Sequence, residues 1–250
     1  MYSINFIAYA YDKKGDGVYE SFLIPFTFFA LIHNENSHVE IIVINKKRFI
    51  SRYENEIKEL KSINSNFLIR EPQYKMNKHI PNTYRFFETP TIKSEYTYIS
   101  DVDIMFLENV LPTYKQNWTG NLCFNNMLRT KDVMRLTGVH MVKTDDYYTE
   151  KMRDCQRKYY NLNVNMNDEV VLAKMCKEVY GLPNFEHRFR PILGIHFSPN
   201  RGKGKIMSLK TTKRYYDSFM MSKTNYPNIF AFEIFDKLIN DLKSEFIITL

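Results

Sequence analysis

Over its first hundred residues the chain alternates short apolar runs with longer stretches of helical periodicity, and this alternation limits the folds open to it. Residues 4–10 (Ile-Asn-Phe-Ile-Ala-Tyr-Ala) read as a buried strand, followed by a polar turn from Asp12 to Gly17. Tyr19, Phe22, Phe26, Phe29 and His33 then recur at helical spacing and predict an amphipathic helix over 18–33. Pro25 has no backbone N–H and suits only a first helical turn, so the start is expected to slide toward Ser21. Residues 39–44 are a second apolar strand, 50–61 a charged helix and 67–69 a short strand. A helix over 83–94 then delivers the chain to a strand ending at Ser100. Strand, helix, strand, helix in this order indicates an α/β fold: a mixed, mainly parallel sheet flanked by helices. Ligands of such sheets bind in the crevice at the carboxyl ends of the strands, where residues 8–11 and 101–103 both fall.

Beyond residue 110 the pattern becomes mixed. Residues 122–124, 139–142 and 192–197 read as strands, and 168–180 as a helix that starts at an Asn-Asp cap. A glycine- and lysine-rich loop over 200–205 precedes an aromatic stretch with Tyr215, Tyr216, Phe219, Phe230, Phe232 and Phe235. No clean linker interrupts the 250 residues, and 8 Gly and 9 Pro argue against repeats or flexible low-complexity segments. The expected organisation is one domain over 1–205, with 206–250 a helical appendage packed on it.

The net charge of +7 favours anionic partners such as nucleotide phosphates, nucleic acid or an anionic membrane surface. A solvated lysine-rich surface explains the charge equally well. Three widely spaced cysteines, Cys123, Cys155 and Cys176, fit neither a zinc spacing nor a disulfide framework, so free thiols in a reducing compartment are expected. The first residues lack the basic and apolar regions of a signal peptide, and the apolar stretch 22–32 is too short to span a membrane. Asn117-Trp118-Thr119 is a glycosylation pattern that means little without a secretory route. A cytoplasmic location is expected.

The chemistry centres on Asp101 and Asp103, one residue apart where an apolar strand ends and another apolar run begins. Carboxylates in such a setting are costly unless a cation or hydrogen-bond donors meet them. Mn²⁺ and Mg²⁺ are hard cations that take oxygen ligands and share them with substrate phosphates. The bland alternative is a turn after a strand. A haloacid-dehalogenase phosphatase would need Thr or Val where Met105 stands, and a polymerase-type nucleotidyltransferase would need an upstream Gly-Ser turn that is absent.

Thr83-Tyr84-Arg85-Phe86-Phe87 followed by Tyr98-Ile99-Ser100-Asp101-Val102-Asp103 resembles the GT-A glycosyltransferases, especially the family 8 (glycogenin- and galactosyltransferase-like) group. Further elements fall in that group's order. Phe6-Ile7-Ala8-Tyr9 with Tyr19 resembles its nucleotide-binding strand and helix, and Gly138-Val139-His140-Met141-Val142 its central Gly-Val-Met strand. Asn167-Asp168-Glu169 is similar to its Asp-Gln motif, with Glu in place of Gln. Gly194-Ile195-His196-Phe197, ahead of Lys203 and Lys205, resembles its His-Phe-x-Gly-x-x-Lys segment. Ser198-Pro199-Asn200 stands where the family has its glycine, the Lys-Pro-Trp ending is missing, and Tyr11-Asp12 only approximates the base-contacting aspartate.

The resemblance implies a metal-dependent transfer of a sugar from a nucleotide diphosphate, a uridine diphosphate above all, to a glycan or glycolipid acceptor, with retention at the anomeric centre. It implies Mn²⁺ or Mg²⁺ on Asp103 and His196 with Asp101, and donor contacts from Ala8, Tyr9, Tyr11, Arg85, Asp101, Val102, Asp103 and Lys205, with Arg201 nearby. Asp168 would hold sugar hydroxyls and Glu169 would sit near the reacting carbon; either acting as general base would give inversion instead. Each residue has an ordinary reading: a core histidine at 196, a surface ion pair at Arg85, a helix cap at Asp168. A competing function is a basic, aromatic module gripping nucleic acid through the 201–210 loop and Tyr215-Tyr216, which leaves the acidic pair unexplained; under the transferase reading no nucleic acid is expected. The aromatic C-terminal stretch is also a candidate for peripheral docking on a membrane that carries a lipid-linked acceptor.

Overall fold

A computed structural model of the protein describes residues 1–11, 17–118, 120–130, 132–197 and 212–247, without the side chains of 212 and 244–247. In chain order the elements are β1 (Tyr2–Ala10), α1 (Val18–His33), β2 (Ser37–Val43), α2 (Lys46–Arg52), α3 (Glu54–Ile63) and β3 (Phe67–Arg70). A 3₁₀ turn (Pro81–Phe86) leads to β4 (Ser94–Ile99), β5 (Ile104–Phe106), α4 (Val110–Gln116), β6 (Phe124–Asn125) and β7 (His140–Lys143). Then follow α5 (Thr144–Tyr147), α6 (Glu150–Leu162), α7 (Asp168–Val179), β8 (Gly194–His196), α8 (Thr212–Asn225) and α9 (Glu233–Ile247).

Six strands form one sheet in the order β3-β2-β1-β4-β7-β6. The first four are parallel, β7 runs antiparallel to β4, and β6 antiparallel to β7. β5 and β8 form a separate antiparallel ribbon. Alternation along β1 sends Phe6 and Ala8 to one core and Ile7 and Tyr9 to the other, so both faces are covered and the strand reads as a continuous apolar run. The first core is closed by α1, α8 and α9, the second by α6 and α7. Phe219 of α8 lies 5.0 Å from Phe29 of α1 between ring centroids, and Phe28 packs against Phe235 at 5.7 Å. The C-terminal aromatics are therefore core residues, Tyr215 among them. Among the described residues no helix is long and apolar enough to cross a membrane. Cys155 and Cys176 are buried free thiols, and Cys123 is half-buried.

Among the helices expected before residue 95 the structure departs from the sequence reading in three places. α1 begins at Val18 and carries Pro25 in its interior. The missing hydrogen bond costs about 3 kcal/mol, but Phe22, Phe26, Phe28 and Phe29 are each fully or almost fully buried and together return more than that, at about 1.5–3 kcal/mol each. The charged helix is two helices meeting at Tyr53, the first capped by Asn45, whose side chain accepts from Arg48 N at 2.9 Å. Residues 87–93 are not helical, and the only helical piece is the 3₁₀ turn. Pro90 disfavours helical backbone at Thr89, and the Glu88 carboxylate is drawn to Arg70 (2.6 Å) and the Gln73 N–H (3.0 Å).

His140 of β7 is fully buried, its Nδ1 accepting from Asn126 Nδ2 at 3.0 Å while Nε2 has no partner. Burial lowers its pKa to about 3. An unfolded histidine takes up a proton below about pH 6.5 that folded His140 refuses. Its contribution to stability is therefore complete above that pH and is lost as pH falls toward 3. In urea unfolding at pH 7 and pH 5, His140→Asn should show a shallower acid loss than wild type, by up to about 1.4 kcal/mol per pH unit. Equal slopes would contradict it.

Candidate active site

The carboxyl ends of β1 and β4 lie side by side, because Ile7 pairs with Ile99. The end of β1 brings Tyr9, Ala10 and Tyr11 to a cleft, and the turn leaving β4 brings Asp101, Val102 and Asp103 to the same cleft. Asn82 and Arg85 enter from the 3₁₀ turn, Tyr19 from α1 and His196 from β8. The ribbon determines the last of these. Ile104 pairs with His196, and the Phe197 N–H donates to the Asp103 carbonyl at 2.7 Å, which sets the imidazole beside the Asp103 carboxylate. Gly194 makes that pairing possible: a Cβ there would lie 1.8 Å from the Met105 carbonyl oxygen.

One ligand atom each from Asp101, Asp103 and His196 lies within 4.8 Å of the others. Asp103 Oδ1 is buried 3.2 Å from His196 Nε2 yet takes part in no hydrogen bond, and His196 Nδ1 is likewise without one. Burial pushes the Asp103 carboxyl above the usual range, with the negative charge of Asp101 adding to it against the contacts with His196. Two carboxylates and an imidazole with an unsatisfied buried oxygen form a donor set that suits a hard divalent cation.

Arg85 is the counterweight. Its guanidinium is buried, stacked on Phe86 at 4.7 Å, and forks between Asp101 (through Nη1) and Asp168 (Nη2 to Oδ2, 3.1 Å). Burial works against ionisation of Asp101, but Arg85, with help from His196 and Arg190, outweighs it and holds the carboxyl below its ordinary range. Gly138 leaves the space for this fork, since a Cβ there would stand 2.7 Å from Arg85 Nη2 and 3.2 Å from Asp101 Oδ2.

Of the residues singled out in the sequence, Tyr9, Tyr11, Arg85, Asp101, Val102, Asp103 and His196 share this cleft. Ala8 does not: it is fully buried in the core and paired with Ile41, because the alternation of β1 turns it into the sheet packing two residues before the strand ends. Asp168 and Glu169 are not among the residues lining the cleft. Asp168 reaches it through Arg85, whereas the Glu169 carboxylate is gripped by Arg129 (2.8 and 2.9 Å) and Arg135 (2.5 and 3.1 Å). Asp12, Arg201, Lys203 and Lys205 lie outside the described residues. Asn82 in the cleft, and Arg129 and Arg135 on Glu169, were not foreseen. The two arginines flank the isolated Leu128–Leu136 bridge in a segment without periodicity, so no pattern in the sequence announces them.

Two solved structures of the glycosyltransferase GlyE from Streptococcus pneumoniae TIGR4, one of them the apo form, are similar to the chain. The identities are 13% and 14%, and the TM-scores 0.47 and 0.48. The matches cover 74% and 76% of this chain and 46% of those chains, so it spans less than half their length. At such values the likeness adds no weight to the geometry above. No family model and no curated protein matches the chain.

Proposed function

We propose that the protein is a GT-A-type, metal-dependent glycosyltransferase that uses a nucleotide diphosphate sugar, a UDP-sugar in the first instance, and retains the anomeric configuration. The observation that carries this reading is the convergence of Asp101, Asp103 and His196 at a cleft on the carboxyl ends of β1 and β4. Asp103 and His196, with Asp101, would hold Mn²⁺ or Mg²⁺. Bound there, the cation supplies charge neutralisation for the diphosphate leaving group as the glycosidic bond breaks. Arg85 keeps Asp101 ionised and aimed and ties it to Asp168, which would reach hydroxyls of the donor sugar from beside Arg85. Tyr11, lining the cleft just beyond β1, would stack on the base. The double arginine grip on Glu169 anchors the first turn of α7 and so fixes Asp168 beside Arg85. Lys205 is proposed as a further cationic partner of the diphosphate, and a glycan or glycolipid as the acceptor.

The test is binding of UDP with and without Mn²⁺, followed by calorimetry and thermal shift, in wild type and Asp103→Asn. Wild type should bind UDP only weakly without the metal. Asp103→Asn should keep a folded melting transition and lose more than about a hundredfold in Mn²⁺-dependent affinity, since even outer-shell partners of a metal typically cost 10–100-fold. Metal-independent UDP binding, unchanged in the variant, would overturn the proposal.

A further inference from the structure

A second cleft opens at the far edge of the sheet, lined by Leu122, Phe124, Asn125, Leu182, Pro183 and His187. Asn125 is 4% exposed, and its amide orientation is set by Nδ2 donating to the Asn117 carbonyl at 3.0 Å. That leaves Oδ1 buried with no partner, and the buried Nε2 of His187 has none either. An unsatisfied buried polar atom costs about 1–3 kcal/mol. Two on one cleft, neither used by the proposed donor site, point to a ligand that supplies the missing hydrogen bonds.

The chemistry of the walls narrows the ligand. Among the described residues lining this cleft none is charged: apolar side chains alternate with asparagines and one histidine. A diphosphate or a nucleic-acid backbone finds no cation here, in contrast to the donor cleft with its acids and Arg85. A pyranose ring fits, because its C–H face lies against apolar side chains while its hydroxyls donate and accept at the rim.

The sheet register fixes the cleft relative to the donor site. Asn125 pairs with Met141, and Met141 pairs with Tyr98, so Asn125 lies level with Tyr98, three residues before Asp101. β6 runs parallel to β4 across the intervening β7, so Asn125, its last residue, also stands at a carboxyl end. Two strand spacings, about 10 Å, separate Asn125 from Tyr98, and the three further residues of rise make it roughly 14 Å to Asp101, a span that a short oligosaccharide bridges.

We infer that this second cleft is the acceptor subsite, holding a neutral pyranose unit of the acceptor glycan with Asn125 Oδ1 accepting from one ring hydroxyl and His187 Nε2 engaging another. The inference rests on the glycosyl-transfer reading for its direction, but not for its test. Trp118 is the only tryptophan in the chain, and its indole N–H donates to the Leu122 carbonyl at 3.0 Å, so its emission reports on the cleft wall. Lactose, maltose and diacetylchitobiose titrated separately into the full chain should include at least one that changes Trp118 emission saturably. His187→Ala, on a half-buried loop position, and Asn125→Ala should each weaken that sugar about tenfold, the size of one lost hydrogen bond with its partner left unsatisfied. UDP binding in the presence of Mn²⁺ should stay within about twofold of wild type in both. No response to any of the three disaccharides, full-strength binding in His187→Ala, or displacement of the sugar by UDP would each overturn the subsite. Failure of UDP to bind while the sugar still does would instead sink the nucleotide-sugar reading and leave the saccharide cleft standing.

Discussion

Gly194→Ala is expected to lower the melting temperature by roughly 6–12 °C and to abolish Mn²⁺-dependent UDP binding. The added methyl would stand 1.8 Å from the Met105 carbonyl oxygen and 3.0 Å from Phe106 Cα, and backbone cannot turn aside as a side chain can. Overpacking of a buried site commonly costs about 1–3 kcal/mol, and backbone displacement places this case at the upper end. For a chain of this size each kcal/mol is worth about 2–4 °C. The relief available is to part β5 from β8, which draws His196 away from Asp103 because their strands are paired at Ile104 and His196. Gly120→Ala is the control. Gly120, unlike Gly194, has a positive φ, 69°, but a Cβ there meets nothing within 4 Å, so only the backbone preference of about 1–2 kcal/mol is lost. Thermal melts paired with UDP titration measure both variants. A Gly194→Ala protein that melts like wild type would show that the ribbon is not packed as described.

Arg85→Met should destabilise the protein by about 2–4 kcal/mol and remove the proposed transfer activity. Breaking a buried ion pair by taking away one partner typically costs about 3–5 kcal/mol because the other charge is stranded. Here the Asp101 side chain is 28% exposed and can draw on water, which trims the penalty. Two carboxylates are stranded at once, and Asp101 loses the charge that holds it ionised. Arg85→Lys should recover part of the stability and little of the activity, since an ammonium cannot fork between Asp101 and Asp168 as a guanidinium does. Chemical denaturation gives the first quantity and nucleotide-sugar turnover the second. Wild-type turnover in Arg85→Lys would remove Arg85 from its assigned role.

Much of the central sheet could be read from sequence because its strands are buried on both faces and its helices carry strong apolar stripes. β1, β2, β4 and α7 fall where periodicity and the Asn167 cap put them. α6 was not read from the sequence, although Met152, Cys155 and Tyr159 recur at helical spacing and face the second core, because most of its other positions are charged or polar. The acidic half of the cleft was visible because Asp-x-Asp between apolar runs is costly without a partner. Its basic half came only through the family resemblance: by periodicity Arg85 is an ordinary surface pair on a helix, whereas the 3₁₀ turn buries it against two acids. The second cleft had no signature at all, since its residues come from β6 and from a loop some sixty positions later that periodicity cannot link.

The ribbon of β5 and β8 has one more consequence. A two-stranded pair is marginal by itself, whereas β4 is held on both sides within the sheet. Asp101 thus follows directly on a strand of the six-stranded sheet, whereas His196 belongs to the ribbon, which relies on its packing against α1 and α8. Any ligand gripped by both therefore acts as a fastener as well as a guest. Part of the free energy released on its capture is spent holding the ribbon in place, so the affinity read in a titration understates the strength of the contacts themselves by whatever that immobilisation costs.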